Sequence, residues 1–223
     1  MRIGVKFARE GMSKFISHLD VQSMFSRALR RTGLCTRYSN GFNPHMVTSF
    51  ASAMAVGMET QGDYMEFFVE EEVSTEKIAE LLQQALPEGF SVVRVGVLPE
   101  TGKKLMALLE QASYEIFCPA EEWEKWQQAF LAIMAMESCI AARTKKGKTK
   151  EMDIRPLIYE GSAEDGCIRV RLALSGAQSL GPALLMEKAA QLAQLPGFGG
   201  RIVRKELYTL VDGKLTALEE LFA

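Results

Sequence analysis

Ten consecutive residues, RYSNGFNPHM at positions 37 to 46, gather side chains that can stack, hydrogen-bond and move protons. Tyr38, Phe42 and His45 are planar, and rings beside a turn can stack on nucleic-acid bases. The amides of Asn40 and Asn43 are suited to base edges. Asn40-Gly41 and Asn43-Pro44 are turn dipeptides, so the whole set belongs on a loop. The competing reading makes Phe42 a core anchor of that loop and the asparagines turn caps. Immediately upstream, Arg27, Arg30 and Arg31 share one helix face and lead into Arg37, a basic surface of the kind that follows a phosphate backbone.

His18 and His45 are the chain's two histidines and its general acid–base candidates near neutral pH. Either could assist attack of a ribose 2′-hydroxyl, with Asp20 as a further catalytic candidate. His18 falls at an expected helix start, where the helix dipole favours a neutral ring and a capping role competes with catalysis. His18 with Asp20 makes a poor metal motif, so no metal site is expected. A second basic run, RTKKGKTKEMDIRP at 143 to 156, places Lys145, Lys146, Lys148 and Lys150 around the tip of an expected hairpin, with Arg155 just beyond. Glu151 and Asp153 offer local counter-charge, which fits a solvated loop equally well. Arg169 and Arg171 share a strand face, and Arg201, Arg204 and Lys205 lie near the last strand. Phosphate-loop, nucleophile-elbow and zinc-protease templates are absent, and GFGG at 197 to 200 has the wrong spacing for a dinucleotide fingerprint. Cys35, Cys118, Cys139 and Cys167 are too scattered to hold zinc or an iron–sulfur centre, so they are expected as buried free thiols, with no cofactor on this chain.

The elements that must position these residues are legible in periodicity. Ile3, Val5 and Phe7 alternate as in a half-buried strand, and Ser17 with Asp20 opens a helix whose apolar positions are Leu19, Val21, Met24, Phe25, Ala28 and Leu29, stopped by Gly33. A turn at Gln61-Gly62-Asp63, a strand from Tyr64 to Val73, a helix capped by Ser74 and a strand from Phe90 to Leu98 follow. A second cycle has strands at 112–118, 139–144, 152–159, 167–174 and 202–210 and helices at 121–136 and 182–195. The expected fold is α+β, two tandem ferredoxin-like halves of order βαββαβ, with domains at 1–99 and 105–223. The 223 residues are 48% hydrophobic, enough for packed cores, and carry a net charge of −2, so any nucleic-acid binding must come from local patches. The start does not read as a signal peptide, and no apolar run approaches the roughly 20 residues that span a bilayer, so a cytoplasmic location is expected.

The run KFISHLDVQSMFSRALRRTGLCTRYSNGFNPH, with the later KTKEMDIRPLI and RKELYTL, resembles the bacterial radical SAM-linked domain of unknown function across nearly the whole chain. The resemblance implies a radical S-adenosylmethionine protein as partner, fused or encoded alongside, which would hold the iron–sulfur chemistry. Met46 departs from the common G-F-N-P-H-P pattern. A fold-level likeness to CRISPR-repeat-processing endoribonucleases motivates the enzymatic alternative. The leading expectation is an accessory module that presents structured RNA, a tRNA or rRNA, to the radical SAM partner. The alternatives are a metal-independent endoribonuclease and a protein-only adaptor.

Overall fold

The computed structural model describes residues 1–145 and 148–223, and side chains outside residues 143–150. The chain is α+β and divides into two compact units, Met1–Leu109 with Glu206–Ala223, and Glu110–Lys205.

The first unit begins with β1 (Arg2–Arg9), α1 (His18–Thr32), β2 (Thr48–Phe50), β3 (Glu59–Phe68), α2 (Thr75–Ala85) and β4 (Phe90–Leu98), followed by the short α3 (Leu105–Leu108). β1 lies between β4 and β3, antiparallel to both, and β2 pairs antiparallel with β3. Ile3, Val5 and Phe7 bury against Val21, Phe25, Ala28 and Leu29 of α1 and Ile78 and Leu82 of α2. The helix ends follow the chemistry of their sequence. Ser17 accepts the Asp20 N–H, Ser74 accepts the Lys77 N–H, and Gly33 ends α1 at φ 75°, a backbone that only glycine adopts cheaply.

The expected half-buried β1 is instead buried along its whole length. Its polar face is covered by the chain's last segment. Arg2 pairs with Glu66 and donates to the carbonyls of Pro99 and Lys103 at 3.0 and 2.8 Å, while Lys6 reaches Glu206 at 2.6 Å and Glu219 at 2.8 Å. Phe222 lies over Gly4 and Gly96, where an added Cβ would come within 2.5 and 2.4 Å of it. The expected turn at Gln61-Gly62-Asp63 is also corrected, because β3 continues through it, with Thr60 and Asp63 buried and the register against β1 shifting between them. Leu19 is exposed. It lies about 200° around the helix from Val21, outside the arc that faces the sheet.

The second unit runs β5 (Gln111–Phe117), α4 (Trp123–Ala135), the hairpin β6 (Ile140–Lys145) and β7 (Lys148–Asp153), then β8 (Ile158–Glu164), β9 (Cys167–Ala173) and α5 (Pro182–Ala193). The start of β10 (Arg201–Val211) completes a sheet of order β10-β5-β9-β8; the end of β10 belongs to the first unit, with β11 (Lys214–Ala217) beside it. Trp126, Phe130, Ile133, Leu185, Met186 and Ala189 form the buried helix side. Gly161 leaves room for Phe130, whose Cζ would be 2.4 Å from an added Cβ. The single strand expected at 152–159 is broken. The Asp153 carboxylate accepts the N–H groups of Cys139 and Arg155 at 2.8 and 3.0 Å, and Arg155–Leu157, with Pro156 inside it, forms a 3-10 turn. The Cys139 hydrogen bond is the main cause that holds the Asp153 carboxyl below its usual range. Cys139 and Cys167 are buried, but Cys35 is exposed because it lies past the end of α1. Burial, with Cys167 nearby, pushes the Cys118 thiol up to about 12.

Candidate nucleic-acid interface

The loop holding RYSNGFNPHM grows from the end of α1 and is stitched to the sheet before it reaches its tip. Thr36 bridges to Val69, the Arg37 N–H donates to the Phe68 carbonyl at 3.0 Å, and the Val47 N–H donates to the Arg37 carbonyl at 2.9 Å. A second rung joins Tyr38 to Met46, and the Ser39 N–H donates to the His45 carbonyl at 2.8 Å. Met46 is 5% exposed and belongs to the hydrophobic core, so it roots the loop. Asn40, Gly41, Phe42, Asn43, Pro44 and His45 lie at its outer end. Phe42, Asn43, Pro44 and His45 are exposed, and Gly41 sits at φ 122°, a conformation that a side chain disfavours.

Phe42 is 106% exposed. It is therefore not the core anchor of the loop; Met46 fills that place. Tyr38 is 42% exposed. The Ser39 hydroxyl accepts the His45 N–H at 3.1 Å and lies 2.9 Å from His45 Nδ1. That hydroxyl can donate to Nδ1 or accept from it, and in either case the contact orients the ring.

The arginines divide by what they touch. Arg37 pairs with Glu70 and lies over the Phe68 ring at 4.4 Å, which holds the base of the loop. Arg31 donates to the Ala85 carbonyl at 2.6 Å and so caps the end of α2. Arg27 and Arg30 are both exposed on α1. They are the side chains of this set best placed to meet a phosphate, Arg30 from the last turn of the helix.

His18 and Asp20 do not join this group. His18 is the first residue of α1, edge-on to Phe50 at 5.7 Å between ring centroids and 3.1 Å from the Gln22 amide. Asp20 accepts the Ser17 hydroxyl at 2.6 Å and gives its N–H back to it, so it serves the helix cap. Lys146 lies outside the described residues, as do the side chains of Lys145, Lys148 and Lys150. Arg155, in the second unit, donates to the carbonyls of Met134 and Ile158 at 3.2 and 3.0 Å, tying the end of α4 to the start of β8. Among the described residues, no cluster of three His, Cys, Asp or Glu could hold a metal ion, and no helix is long and apolar enough to cross a membrane.

Two features escape the sequence reading. One is the exposure of Met12 and Phe15 in the turn-like run GMSKF, and of Leu19 and Val56. The other is a buried polar cluster. Tyr64 donates to Glu206 at 2.6 Å beside the Lys6 ammonium. Burial, then Glu206, pushes the Tyr64 phenol well up. Burial pulls Lys6 down, but hydrogen bonds to Glu206 and Glu219 outweigh it and leave Lys6 raised.

The family described as an uncharacterized protein conserved in bacteria (DUF2344) matches residues 2–182. The chain belongs to this family. The match takes in β1, the exposed loop, the basic hairpin and the first residue of α5. A comparison with curated proteins found no match.

Proposed function

We propose that this chain is a cytoplasmic accessory protein that binds structured RNA, a tRNA or rRNA, and presents it to a radical S-adenosylmethionine protein. The partner would hold the iron–sulfur chemistry, and this chain would need no cofactor of its own. The single observation that carries the RNA reading is Phe42, a fully exposed ring on a loop whose base is fixed by Met46, Arg37 and Ser39. An exposed phenyl gains nothing for the fold and is a ready stacking surface for a base. Arg27 and Arg30 add charge on the helix leading into the loop. The radical SAM partner rests on the sequence resemblance. Two tandem ferredoxin-like halves form the scaffold in this reading. Supporting it, the first unit has β4-β1-β3 with β2 on β3, and the second has β10-β5-β9-β8 with the β6–β7 hairpin inserted.

A metal-independent ribonuclease is the second reading, favoured by His45, whose ring is exposed and oriented by Ser39. Fluorescence anisotropy with labelled transcripts, read beside a cleavage gel, tests both. The binding reading expects saturable affinity that falls with salt. In Arg27→Gln and Arg30→Gln the salt slope should flatten by about one unit for each phosphate that is no longer neutralised. The nuclease reading expects cuts that vanish in His45→Ala. No affinity and no cutting at physiological salt would leave only the adaptor role.

A further inference from the structure

The second unit's sheet carries α4 and α5 on one side only. Ala112, Tyr114 and Ile116 of β5 and Ile168, Val170 and Leu172 of β9 are buried toward those helices. The two-residue period then turns Ser113, Glu115, Phe117, Arg169 and Arg171 to the opposite face. The register confirms the grouping, with Ser113 opposite Arg171 and Glu115 opposite Arg169, and with Glu160 and Ser162 of β8 opposite Arg171 and Arg169. From β10, Lys205 reaches Glu115 at 3.2 Å and Arg201 lies over the Phe117 ring at 4.4 Å.

Arg169, Arg171, Arg201 and Lys205 thus share one face with three carboxylates, Glu115, Glu160 and Glu164, the last at the end of the outer strand. Glu115 is divided between Arg169 at 3.5 Å and Lys205 at 3.2 Å, and Arg171 pairs with Glu160. The side chains of Arg169 and Lys205 remain 51% and 36% exposed. Ion pairs this exposed hold weakly, so a phosphate can displace a carboxylate from them at little cost. The guanidinium over Phe117 adds a preformed stacking platform, a flat surface for a base.

We infer that this open sheet face binds a single-stranded RNA segment. A four-stranded surface with a stacked aromatic suits unpaired bases, whereas a duplex keeps its base faces inside the helix. The surface uses none of the residues of the exposed loop in the first unit, although it shares the RNA reading proposed above.

The test uses the full chain and two fluorescein-labelled RNAs, a blunt hairpin and the same hairpin with an unpaired uridine tail of about ten nucleotides. The tail should raise affinity roughly tenfold. Arg169→Ala with Arg201→Ala should erase most of that gain and leave the blunt hairpin unaffected, with circular dichroism checking the fold. Glu115→Gln, which removes the competing carboxylate, should increase the gain, an effect that misfolding does not produce. A tail that adds nothing, or a gain untouched by these variants, overturns the inference while the loop reading stands. Binding of the free uridine tail without the hairpin, abolished in the arginine variant, keeps this inference and removes the loop reading. Binding of polyglutamate but of neither RNA overturns both.

Discussion

Truncating Phe42 to alanine removes a ring that is 106% exposed, so no buried apolar area disappears and no cavity forms. Stability should stay within about 0.5 kcal/mol of the parent. If the ring stacks on a base, the same change should weaken RNA binding by roughly 1–3 kcal/mol, about a 5- to 150-fold rise in Kd. Met46→Ala supplies the contrast. Met46 is 5% exposed and belongs to the core cluster that includes Val21, Phe25, Phe50 and Phe67, so its truncation should cost about 2–5 kcal/mol of folding stability. Paired urea melts and anisotropy titrations therefore give opposite profiles, with affinity reduced at constant stability for Phe42 and stability reduced for Met46. A Phe42→Ala protein that binds as tightly as the parent, or one that melts much earlier, refutes the assignment of this ring to recognition.

Gly96→Ala places a methyl 2.4 Å from the Phe222 Cβ, an atom too close to its own backbone to swing aside, and should cost roughly 1–3 kcal/mol in a urea melt. Combining it with Phe222→Ala should give less than the sum of the two single costs, and strict additivity would argue against this packing. Tyr64 and Lys6 both keep their protons in the folded state at pH values where the unfolded chain, at ordinary values of 10.0 and 10.5, releases them. Stability should hold up to about pH 10 and fall as pH rises further, with a shallower fall in Tyr64→Phe; urea midpoints across that range check it.

Periodicity and caps make β1, α1, α2 and β4 legible, because Ser17, Gly33 and Ser74 signal through local chemistry that needs no tertiary partner. The start of β3 is not legible in the same way, since Gln61-Gly62-Asp63 reads as a turn until pairing of Thr60 and Asp63 with β1 holds it in the sheet across a register shift. β11 has a local signal that the periodicity reading passes over, for Asp212-Gly213, both at positive φ, is the signature of a tight hairpin turn. At the candidate site, residue types are readable but their commitments are not. Arg31 is spent on Ala85 and Arg37 on Glu70, 54 and 33 positions away, distances over which sequence spacing carries no information. The exposure of Phe42 is equally hidden, because a loop has no period from which to infer which way a side chain faces.

The first unit needs Glu206, Glu219 and Phe222 to close the polar face of β1, and the Lys6 to Glu206 bond spans 200 positions. During vectorial synthesis, its leading 109 residues emerge long before that cover exists, whereas Glu110–Lys205 is contiguous and can fold as soon as it leaves the ribosome. The later-encoded unit is therefore set to mature first. Until residues 206–223 arrive, the nascent N-terminal region carries Lys6 on an open sheet face, a charge that disfavours premature association with other chains.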